Sequence, residues 1–119
     1  MVPAKLSIPN NMRPYMVAFL YPGPNYDALS DKSIPANLAL QAAHLEGIRA
    51  HIEDGTQIFA APVMTPGSKV SAFGVFPAHL SIEQVNDMIL ADPAIAAGRF
   101  KFEVVQALFP SLETVKVEY

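Results

Sequence analysis

The chain has 119 residues, no cysteine, a net charge of −3, and 51% hydrophobic against 16% charged residues. That length is one domain with one core. The missing cysteines exclude disulfides and thiolate metal sites, and the acidic balance without a Lys/Arg cluster leaves no electrostatic footprint for nucleic acid. The apolar excess points to surface hidden by self-association, at this size a symmetric homodimer. The apolar run Met16 to Leu20 is far too short to span a bilayer and no cleavage-like pattern follows it. No membrane partner is expected, and the lack of cysteine fits a reducing cytoplasm.

Residues 1–14, with Pro3, Pro9 and an Asn pair but no periodicity, read as an N-terminal arm. The domain is expected over residues 15–108. It opens with a strand, Tyr15 to Tyr21, apolar on both faces and therefore central, and Pro22-Gly23-Pro24 stops it. Gly23 to Ile34 is polar and rich in turn formers, a long loop of the kind that often carries function.

Pro35 then starts the longest helix, PANLALQAAHLEGIRAHIEDG, which Gly55 closes. The spacing of Leu38, Ala42, Leu45, Ile48 and Ile52 predicts a core-facing stripe, with His44 on its shoulder and Leu40 and His51 further round the same flank.

Thr56 to Met64 reads as the second strand, with Pro62 confined to its end or edge, and Val70 to Phe76 as the third, joined through TPGSK as a hairpin. Ser81 and Gln84 form a capping box for the second helix, with Leu80 and Val85 as its hydrophobic staple and Ile82, Val85 and Ile89 as its apolar face. Asp92-Pro93 opens a short helical turn closed by Gly98, and Phe100 to Leu108 alternates as the last strand. In the tail, residues 109–119, the alternation Thr114 to Val117 predicts an edge strand or a dimer contact. The order β-α-β-β-α-β is ferredoxin-like: an α+β domain whose four-stranded antiparallel sheet carries both main helices on one face.

No GxSxG, Walker A or GxGxxG pattern occurs. His44 and His51 are seven residues apart on one helix, about 10 Å by helix rise, too far to chelate one ion, and no metal site is expected. His79 reads as an exposed or capping loop residue. The chemistry falls to His44 and Asp92, which the topology can bring together above the sheet. A carboxylate beside an imidazole orients its tautomer and strengthens it as a general acid/base. Each has a plainer role as well, His44 as a hydrogen-bonded helix residue and Asp92 as the N-cap of the Pro93 turn.

The segments GPNYD (from Gly23), AHLEGIRAHIEDG (from Ala43), IFAAPV (from Ile58) and ADPAIAAGRF (from Ala91) together resemble the YCII-like proteins of the dimeric α+β barrel superfamily, over about Tyr15 to Leu108. His44, Asp92, Pro93 and Gly98 fall on positions typical of that family. Ala61-Pro62 departs from its usual Gly-Pro, which narrows any close approach there.

The resemblance implies a dimeric barrel, with His44 and Asp92 as a catalytic pair acting without cofactor on a small, possibly cyclic or aromatic-derived substrate. The chemistry implied is that of a lyase or isomerase, like the dehydrochlorinases and muconolactone isomerases. Tyr21, Tyr26 and Asp27 in the long loop, with Pro62 and Pro93, form the expected substrate-binding set. Phe59 and Phe73 on the strands are further candidate pocket walls, expected first in the core or the dimer interface. The competing expectation is a non-catalytic small-ligand-binding or accessory dimer. A third, haem binding, would need His44 or His51 to face a large open cavity.

Overall fold

The computed structural model describes residues 8–119 of the chain. Of the expected arm, residues 1–7 lie outside the described residues, and the rest is shorter than expected because strand β1 (Met12–Pro22) already begins at Met12.

β1 is central. It pairs antiparallel with β3 (Ala72–Phe76) on one side and β4 (Phe100–Pro110) on the other, and β2 (Phe59–Pro62) pairs with β3, giving the four-stranded order β2-β3-β1-β4. Val17 stands opposite Val75 and Val105, and Ala18 opposite Gly74 and Val104. The two-residue period of a strand therefore sorts the sheet into two faces. One carries Met16, Ala18 and Phe76 under the helices. The other gathers Tyr15, Val17 and Val75 beneath the rings of Phe19, Phe59, Phe73 and Phe109.

Helix α3 (Ile82–Leu90) has the predicted start. The Gln84 N–H donates to Ser81 Oγ at 3.1 Å and the Ser81 N–H to Gln84 Oε1 at 2.8 Å. Val85 and Ile89 then pack with Leu80 on the sheet. A one-turn helix α4 (Pro93–Ala96) follows before β4.

Helix α2 (Pro35–Glu53) starts at Pro35, and Gly55 beyond it takes φ 82° as its stop. Its phase differs from the expected one. Leu38 and Leu45 are each 52% exposed. Of the expected stripe only Ile48 and Ile52 turn inward, and the other inward residues are Asn37, Leu40, Gln41, His44, Gly47 and His51. Apolar side chains are spread almost evenly round this helix, so periodicity cannot choose its buried face. Its polar groups choose it by what they bond: the buried Asn37 amide donates to the carbonyls of Ala28 and Asp31, at 2.8 and 3.0 Å.

Three further expectations are corrected. The loop Gly23 to Ile34 contains a helical turn, α1 (Tyr26–Leu29). The second strand is only Phe59–Pro62, with Pro62 at its end, because the N–H groups of Thr56 and Gln57 are spent on the His51 carbonyl. In the tail, Thr114 to Val117 forms no strand. The tail folds back on its own chain: the Leu112 N–H donates to Tyr15 Oη at 2.8 Å, and Arg49 sits 4.9 Å over the Tyr119 ring. Among the described residues no helix is long and apolar enough to cross a membrane.

Candidate active site

Two chain segments meet above the sheet. Asp92 ends the α3 connection as the N-cap of α4, and its Oδ1 accepts the Ala94 N–H at 2.8 Å. The carboxylate is thereby fixed at a helix start, where backbone dipoles favour negative charge. Its other oxygen, Oδ2, lies 2.6 Å from His44 Nδ1 across 48 residues of sequence. Capping and pairing, read from the sequence as alternatives, are done at once by the two oxygens of one side chain. The pair is largely withdrawn from solvent, with side chains 9% and 16% exposed for His44 and Asp92.

The geometry sets the tautomer. Asp92 Oδ2 can only accept, so His44 carries its proton on Nδ1 and presents the Nε2 lone pair. Nε2 has no hydrogen-bond partner among the described residues, and none of their buried side-chain polar atoms is left unpaired. Nε2 is therefore open to a ligand. The Phe100 ring packs against the imidazole at 5.6 Å between centroids and limits its swing.

His44 and Asp92 line a cavity of about 140 Å³ between α2 and the sheet. Its walls are mostly apolar, with Ala18 and Leu20 of β1, Phe76 of β3, Ile89 of α3 and Ile95 of α4. An apolar space of roughly 150 Å³ holds one benzene ring. A porphyrin is several times larger, so the cavity is not the large open space that the haem expectation requires.

Of the expected substrate-binding set, only Pro93 borders this cavity. Tyr21, Tyr26, Asp27 and Pro62 do not. Asp27 and Pro62 are exposed, and the Tyr26 ring packs 5.8 Å from Phe100. Phe59 and Phe73 meet edge-on at 6.4 Å on the far face of the sheet, and Phe73 also reaches the cavity wall. The long loop acts behind the site rather than in it. Arg99 donates to Gln41 Oε1 and to Ser30 Oγ, and lies 4.8 Å over the Phe100 ring, tying loop, helix and last strand together.

Three residues of the wall were not singled out as site residues. His51 lies two turns beyond His44 on the same helix face, a spacing visible in the sequence. Gly47, between them, has open space where a Cβ would project. Gln57, buried, reaches over Gly74, where a Cβ would come within 2.8 Å of the Gln57 Nε2. No sequence signal marks Gln57. Among the described residues no three His, Asp or Glu side chains gather as a metal site.

No protein-family model matches this chain, and no curated protein matches it.

Proposed function

We propose that the chain is a cofactor-independent acid/base enzyme in which His44, held by Asp92, moves a proton on a small organic molecule lodged in the cavity between α2 and the sheet. The observation that carries this reading is the 2.6 Å His44–Asp92 contact on the wall of an apolar cavity, with Nε2 left open. Nε2 removes a proton from a carbon made acidic by a neighbouring carbonyl. The resulting imidazolium is stabilised by the Asp92 carboxylate, and the same nitrogen returns the proton elsewhere on the substrate.

Return to a second carbon is isomerisation; departure of a leaving group from the neighbouring carbon is a lyase step. The apolar walls exclude water that would otherwise compete for the proton. This is the chemistry implied by the resemblance to YCII-like proteins, and the aromatic outer face of the sheet suits the homodimer that goes with it.

The test is hydrogen–deuterium exchange of small cyclic ketones and unsaturated lactones in heavy water, followed by NMR. Wild type should exchange the protons next to the carbonyl, and His44→Ala should lose about 10²- to 10⁴-fold in rate while keeping its circular dichroism spectrum. No exchange by the wild type, or exchange that survives His44→Ala, would sink the proposal. Tight ligand binding with no exchange would favour a binding module.

A further inference from the structure

The cavity has a second polar end. His51 lines it from the same helix face as His44, and Gln57 lines it beside His51. The His51 ring is oriented by a relay of its own. Thr56 Oγ1 lies 2.5 Å from Asp54 Oδ1 and 3.1 Å from His51 Nδ1. A hydroxyl has one proton, and the short contact to the carboxylate takes it. Thr56 Oγ1 must then accept from His51, so His51 also carries its proton on Nδ1 and offers the Nε2 lone pair. That Nε2 has no hydrogen-bond partner among the described residues, and none of their sealed side-chain polar atoms is unpaired. Two histidines thus line one largely apolar space, each ring oriented by a carboxylate, directly at His44 and through Thr56 at His51.

Seven residues of helix set the two Cα atoms about 10.5 Å apart along the axis, and side chains that lean the same way along the helix keep about that spacing. Subtracting a hydrogen bond of about 2.8 Å at each end leaves about 5 Å, the separation of two oxygens on opposite carbons of a six-membered ring. Gly47 lies between the imidazoles on the helix, and the space its missing side chain leaves is where the ring would rest.

We infer that His51, assisted by Gln57, is the specificity-determining far pole of the cavity, and that the preferred ligand is a single ring bearing a hydrogen-bond donor at each of two opposite positions. The inference rests on the acid/base reading of His44 and adds a second, independent contact. One donor takes the place at His44 Nε2 that the acidic C–H of a substrate takes in the reaction, and the other reaches His51 Nε2, while the ring lies against Gly47 and the apolar walls. His51 touches the ligand away from the reacting atoms, so it sets which molecule binds and in which direction.

The probes are phenol and the 1,2-, 1,3- and 1,4-dihydroxybenzenes, titrated into the histidine-¹⁵N-labelled protein with the ring nitrogens observed by NMR. The 1,4-diol should bind about 3- to 10-fold tighter than phenol and shift Nε2 of both His44 and His51. In His51→Asn, whose amide can still donate to Thr56, the preference should vanish and the 1,4-diol should bind as phenol does. His51→Ala should behave alike, and the Asn variant guards against a loss of fold. Equal affinities with only His44 shifting would overturn the far pole and leave the acid/base pair standing. A preference that survives in His51→Asn would overturn it too, as would failure of every ring to bind. Deuterium exchange at His44 is measured separately, so it fails or succeeds on its own.

Discussion

Helices α2 and α3 lie on the same face of the sheet and are held there by different means. α3 closes a capping box and packs Val85 and Ile89 with Met16, Ala18 and Phe76, so that only its inner edge, at Met88 and Ile89, borders the cavity. α2 turns Asn37, Gln41, His44 and His51 inward, leaves Leu38 and Leu45 outside, and stands off the sheet across the cavity. The first arrangement maximises buried apolar area. The second exchanges packing for polar groups fixed by specific bonds around a void. A short helix thus anchors the layer, and the longest helix carries the polar side chains that face the cavity.

The contrast can be broken most strongly on the α3 side. Val85 is fully buried, and Val85→Ala should cost about 2–3 kcal/mol of unfolding free energy, read as a lower denaturant midpoint with an unchanged slope. Ring binding by the folded fraction should survive. A loss below 1 kcal/mol would mean that α3 is not the anchor.

On α2 the sign reverses. Gly47→Ala should raise stability by about 1 kcal/mol through helix propensity, because nothing stands within 4 Å of the added methyl. The same methyl should weaken ring binding. Destabilisation instead would show that the methyl meets packed atoms and that the space is not there.

The smallest effect sharpens the comparison at the end of α2. The Thr56 hydroxyl and N–H hold the exposed Asp54 carboxyl below its ordinary 3.8. Its folded form therefore binds fewer protons than the unfolded chain in that range. The contribution is fully present above about pH 4 and drains away as pH falls through the folded value. Asp54→Asn should flatten the acid limb of the stability–pH curve and leave the neutral region little changed. A limb as steep as in the wild type would remove Asp54 from the relay to His51.

These elements also show what could be read ahead of the structure. The capping box, the Asp92-Pro93 turn, the central strand and the ferredoxin-like order are written in local residue types and in alternation, and each appears where expected. The phase of α2 was not legible, because a helix with apolar residues on all sides gives no preferred direction and its orientation is settled by distant partners. Asn37 is placed by carbonyls of a loop, and His44 by a carboxylate 48 residues away. The substrate set built on Tyr21, Tyr26, Asp27 and Pro62 followed the loop, whereas the cavity lies under the helix. His51 was within reach, since seven residues return to the same helix face. Gln57 was not, because its burial depends on the bare backbone of Gly74 in a neighbouring strand.

The cavity beneath α2 has a thermodynamic consequence. Whatever molecule fills it acts as the piece of core that α2 lacks, present only in the folded state and contributing to stability by mass action. At a free concentration one hundred times its dissociation constant, such a ligand adds about 2.7 kcal/mol to the unfolding free energy. A rise in melting temperature therefore reports any molecule that binds this cavity, with no chemistry assumed beforehand.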